Sequence, residues 1–185
     1  MKRNAFHFAP VLLVLPMVAL LLQGCTKEQA EPIVPPVELA VDYPAIPFSI
    51  QGNDVPGQFQ LQFDLDADVL GQVLTAHDYT LGQVMEFRFT MAKLHLASPA
   101  NGNYNALGSV TLQAASGDNE PLSVANMYPV PDGSHTLILN LSAPNIADLM
   151  RGGNVRIIAK FHLDGTLPDV SNHQLLLSAK VTMQL

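Results

Sequence analysis

Asp64-x-Asp66-x-Asp68 is the densest group of potential ligands in the chain, with carboxylates on alternate positions of one short stretch. Calcium takes six to eight oxygens, and an EF-hand loop opening at Asp64 needs glycine at its sixth position and glutamate at its twelfth. Val69 and Thr75 stand there instead. That excludes the loop and leaves Asp64, Asp66 and Asp68 as calcium candidates without a frame. The simpler reading puts Asp64 and Asp66 on the wet side of a strand end and has Asp68 cap the following turn. Among the histidines beyond residue 24, His77, His95, His135, His162 and His173, no two have the close spacing of a zinc motif. His95 and His162 both fall on polar faces of expected strands, so only strand pairing would unite them. Ser134-His135 is adjacent, which on a strand points the two side chains apart. The chain has no Gly-x-Ser-x-Gly elbow, and Gly102, Gly152 and Gly153 lack the strand-loop-helix context and lysine of a phosphate cradle. The reading is a non-enzyme without a cofactor or resident metal.

The remaining reactive residue is Cys25, the only cysteine. It follows an apolar run over residues 8–22 that opens behind Lys2 and Arg3, a length suited to a secretory h-region rather than a membrane span. Leu22-Gln23-Gly24-Cys25 resembles the lipobox of bacterial lipoproteins, in which a small residue precedes an obligatory cysteine; Gln23 stands where the family usually has a small or aliphatic residue. The resemblance implies cleavage after residue 24 and a lipid-modified Cys25 as first mature residue. Two or three acyl chains give lasting attachment where one holds only marginally. Thr26 in place of aspartate is what such lipoproteins carry when sorted to the outer membrane, facing the periplasm or the surface.

Removing residues 1–24 from 185 leaves 161, enough for one domain with a real core. The 9 basic residues less Lys2 and Arg3 leave 7 against 16 acidic ones, a balance of −9 that argues against nucleic acid and against lying flat on anionic lipid. With its one thiol acylated the domain forms no internal disulfide. The absence of Trp and the modest aromatic content count against the flat aromatic platforms that sugar-binding sandwiches usually present.

Residues 25–47, with Pro32, Pro35, Pro36, Pro44 and Pro47, read as an extended tether whose distal part can already be an edge strand. The domain proper is placed at 48–185. Phe59, Leu61, Phe63 and Leu65 alternate with Gln58, Gln60, Gln62 and Asp64, a half-buried strand. Residues 68–81 lose that period and suggest a short helix. Residues 83–97 form the longest strand candidate, with Met85, Phe87, Phe89 and Met91 facing in; the phase slips at Met91-Ala92, which predicts a bulge or a change of sheet. After an Asn-rich loop at 98–105, strands are expected at 107–114, 122–128 and 135–141, then a one- or two-turn helix near 144–150 capping an open end. Strands at 155–163 and 173–185 close the domain as a long pair. Met85, Met91, Met127, Met150 and Met183 read as core filler, with an apolar pocket as the alternative.

The sum is an all-β fold, a single Greek-key-like β-sandwich with one or two short helical turns. Over most of residues 57–185, the long amphipathic strand, the Asn-rich loop, the short helix at 146–150 and the two closing strands resemble uncharacterised domains on Bacteroidota-type envelope lipoproteins. The expected role is a non-enzymatic, membrane-anchored interaction or structural module with a protein partner in the envelope. The alternatives are a carrier or sensor of a hydrophobic small molecule, and a calcium- or carbohydrate-binding adhesion module using the 98–105 loop and the Asp64–Asp68 cluster.

Overall fold

Strand alternation dominates the chain, and the computed structural model, which describes residues 35–51, 56–165 and 170–184, resolves it into two antiparallel sheets. The strands are β1 (Val37–Asp42), β2 (Ile46–Ile50), β3 (Gly57–Asp64), β4 (Val84–Ser98), β5 (Leu107–Ser116), β6 (Leu122–Met127), β7 (Thr136–Ile138), β8 (Asn140–Leu141), β9 (Val155–Leu163) and β10 (Ser171–Met183). One sheet runs β1-β10-β4-β7 with β2 also on β10; the other runs β3-β9-β5-β6-β8. Helices α1 (Ala67–Ala76) and α2 (Ala147–Arg151) and a 3-10 turn at Leu81–Gln83 complete the unit Pro36–Leu185. This is the all-β sandwich expected from the alternation.

The core lies between the inner faces. Phe87, Leu94, Leu175 and Leu177 from the first sheet are fully buried, as are Leu112, Ile157 and Phe161 from the second. Since no disulfide lies among the described residues, this packing and the two ladders carry the stability, with each fully buried large side chain contributing roughly 1.5–3 kcal/mol.

Several boundaries differ from the sequence expectation for physical reasons. β1 and the first two residues of β2 fall inside the stretch 25–47 read as tether, so the sandwich begins at β1. They pair with successive halves of β10, Val37 opposite Met183 through Asp42 opposite Ser178, and Ile46 opposite Leu175 through Ile50 opposite Ser171. Tyr43 carries the ladder across the gap by donating its N–H to Leu177 O at 3.0 Å. The closing strands β9 and β10 do not pair with each other; they occupy opposite sheets. Residues 135–141 form two short strands, because the chain crosses between sheets at Leu139, whose N–H bonds to Ala92 O, before Asn140 pairs with Asn126.

On β4 the expected bulge is present: Met91 pairs with Ser178 and Phe89 with Ala179, leaving Thr90 without an opposite residue. A second irregularity at Met85 was not legible. Glu86 pairs with Thr182 and Val84 with Met183, so Val84 turns inward and Met85 is exposed, reversing the expected inward placement. Asn145, just before α2, holds that irregularity. Its Oδ1 accepts from Phe87 N and Ala147 N, both at 3.0 Å, and its Nδ2 donates to Met85 O at 3.0 Å.

Candidate functional site

Asp66, not Asp68, is the N-cap of α1: its Oδ1 accepts from Asp68 N at 2.9 Å. Helix starts leave backbone N–H groups unpaired, and an aspartate outside the first turn satisfies one. Asp68 instead sits in the first turn, favoured there by the helix dipole. Asp64 ends β3, exposed and opposite Arg156 of β9. The three carboxylates therefore serve a strand end, a cap and a first turn. Among the described residues, no three His, Cys, Asp or Glu side chains come close enough to share a metal ion. Cys25 and Thr26 lie outside the described residues.

His95 and His162 are on different sheets. His95 Nδ1 lies 3.0 Å from Thr136 Oγ1, and His162 Nε2 lies 3.2 Å from Asp164 Oδ1. The Asp164 carboxylate sits over Gly108, where a Cβ would fall 2.3 Å from its Oδ2. Gly108 is the residue that β5 skips in its register with β9, Leu107 facing Leu163 and Ser109 facing His162. The absent side chain makes room for the carboxylate and the bulge together.

Among the described residues, the one histidine drawn into the interior is His173, 3% exposed, on the inner face of β10. Its Nε2 lies 2.8 Å from Ser171 Oγ, its Nδ1 lies 3.1 Å from Tyr104 Oη, and Phe48 of β2 stacks on its ring at 5.0 Å between centroids. Ser171 and His173, two apart on one strand, share a face, and Tyr104 arrives from the loop between β4 and β5. Its N–H bonds to Ser134 O at 3.0 Å, which ties this loop to the one before β7. One imidazole nitrogen donates and the other accepts, so either tautomer satisfies both hydroxyls. Burial pushes His173 down to about 4 and pushes the Tyr104 hydroxyl up. The shift of His173 has desolvation as its only cause.

The Ser171–His173 distance is that of a nucleophile and its base. The surroundings give it another task. A base with a pKa near 4 is weak at neutral pH, Nδ1 faces a phenol in place of the carboxylate that would stabilise an imidazolium, and Phe48 covers the ring. The trio joins β10 to the β4–β5 loop as a satisfied polar tie inside an apolar core, and Phe48 packs β2 against it. Sequence reasoning passed over it, although the signal was present: His173 has the parity of Leu175, Leu177, Ala179, Val181 and Met183, the buried row of β10.

A groove of about 240 Å³ runs beside α1, lined by Leu70, Gly71, Leu74, Tyr79, Leu81 and Met150 among others. Of the methionines read as core filler, Met150 and Met183 are buried, Met91 and Met127 half-buried and Met85 exposed. Two of the three asparagines of the 98–105 loop bond internally: Asn105 Oδ1 accepts from Gly133 N at 2.6 Å, and Asn103 Oδ1 from Asn105 N at 3.1 Å. Among the described residues no helix is long and apolar enough to cross a membrane.

No protein-family model matches the chain, and comparison with curated proteins finds no match.

Proposed function

We propose that the chain is a lipid-anchored envelope protein, held at the outer membrane through acylated Cys25, whose β-sandwich works as a non-enzymatic interaction or structural module with a protein partner. The observation that carries this reading is the position of the sole cysteine, directly after Leu22-Gln23-Gly24 at the end of the apolar run. The start of β1 at Val37 supports it, because the stretch from Cys25 to Val37 spans at most roughly 3.3–3.6 Å per residue, enough to lift a domain clear of the headgroups. The acidic balance supports attachment by lipid rather than by basic contact with the surface. Ser171 and His173, shut inside the core and bonded to each other and to Tyr104, support a module without chemistry of its own.

The α1 groove favours a second reading, a sensor of a small apolar molecule. Its volume of about 240 Å³ falls below the 300–1,000 Å³ that ordinarily houses a drug-sized ligand, and it lies beside a helix rather than between the sheets. The anchored module is therefore preferred. Fractionation of the native host expressing the chain with Cys25→Ser tests it: the unsubstituted protein sediments with membranes and the variant does not. Equal sedimentation of both would remove the anchor from the account.

A further inference from the structure

A β-sandwich has four sheet edges, and unpaired strand edges recruit other strands unless something blunts them. Three edges here carry such devices. β7 and β8 are three and two residues long. On the opposite edge of the first sheet, β1 carries Glu38 and Asp42 and β2 carries Pro47, with a break at Tyr43 between them. The fourth edge is β3. It runs eight residues from Gly57 to Asp64 in continuous register with β9, without proline, bulge or basic residue, its only charge at the last position. Among the described residues its outer side has no strand partner. Its inward row, Phe59, Leu61 and Phe63, stays only half-buried even though Phe59 stacks on Phe161 at 5.0 Å and Phe63 meets Phe48 at 5.3 Å.

The sequence of that edge names its partner. Phe59-Gln60-Leu61-Gln62-Phe63 reads the same in both directions. Two such strands laid antiparallel about a two-fold axis through Leu61 place Leu61 opposite Leu61 and Phe59 opposite Phe63 on the inner face. On the outer face Gln60 stands opposite Gln62 and Gln58 opposite Asp64. Each apolar side chain meets an apolar one, each amide meets a group it can hydrogen-bond, and no like charges face each other. A slip of one residue would set the glutamines of one copy against the phenylalanines of the other, so the pattern selects its own register. We infer that β3 is a homodimerisation edge, joining the β3 sheets of two copies into one continuous ten-stranded sheet through an isologous contact. This pairing stands on the strand alone and does not depend on lipid attachment.

Sedimentation equilibrium of the full chain in non-ionic detergent tests it with two double variants at the exposed glutamines. The unsubstituted chain is expected to dimerise. Gln60→Lys with Gln62→Lys sets lysine opposite lysine on both sides of the axis and is expected to weaken the dimer roughly tenfold or more, with the melting temperature unchanged at concentrations where both chains are monomeric. Gln60→Glu with Gln62→Lys sets glutamate opposite lysine in the same register and is expected to restore it. A chain that stays monomeric at all accessible concentrations overturns the proposal. So does a dimer indifferent to the lysine pair, or one that the glutamate–lysine pair fails to restore.

Discussion

A histidine on the inner row of a strand must stay neutral or carry its charge into the core. Unfolded, His173 takes up a proton near its ordinary value of 6.5; folded, it resists protonation until about 4. Its contribution to stability is therefore complete above about pH 6.5, declines as pH falls towards 4, and levels off below that, a change on the order of 3 kcal/mol. His173→Gln retains a donor and an acceptor without the titration. Urea denaturation at a series of pH values is expected to give a shallower slope between pH 4 and 6.5 for the variant than for the unsubstituted chain; parallel curves would mean that water reaches the ring. Asp66 offers a second check. Asp66→Ala is expected to cost about 1 kcal/mol by uncapping α1, in calcium-free and calcium-containing buffer alike. A calcium-dependent rise in melting temperature of the unsubstituted chain that Asp66→Ala removes would restore the aspartate trio as a metal site.

At the scale of elements, α1 carries an unneeded glycine. A Cβ at Gly71 meets nothing within 4 Å, and glycine in a helix interior costs about 1 kcal/mol relative to alanine. Gly71→Ala is expected to stabilise the chain by about that amount in chemical denaturation; destabilisation would mean that the α1 groove needs the bare backbone. The strands were legible wherever the alternation ran unbroken, as in β3, or nearly so, as in β9, where only Ile158 interrupts the polar row. The bulge on β4 was legible because the apolar parity changes there and stays changed. The irregularity at Met85 was not, because Val84 and Met85 are both apolar and either satisfies the pattern; the deciding contact comes from Asn145, roughly 60 residues away in sequence. The division of residues 135–141 between two sheets likewise depends on which strands wait on either side.

For the whole molecule, composition and period pointed to a sandwich, while the pairing of β1 and β2 with β10, and of β9 with β3 and β5 instead of β10, required the fold itself. Alternation says which face of a strand is dry but nothing about its neighbour. The polar tie at His173 was hidden for a related reason: Ser171 and His173 are two apart, yet Tyr104 joins them only once the β4–β5 loop folds over the sandwich end. The proposed function rests on a different layer of the sequence, the lone sulfur ahead of the domain. The most direct measurement is the mass of the N-terminal peptide of the protein isolated from its native host. The account predicts that it begins at Cys25 and carries a diacylglyceryl group on the sulfur with a further acyl chain on the amine. A peptide with a free thiol at residue 25, or one that still contains residues 1–24, would contradict it.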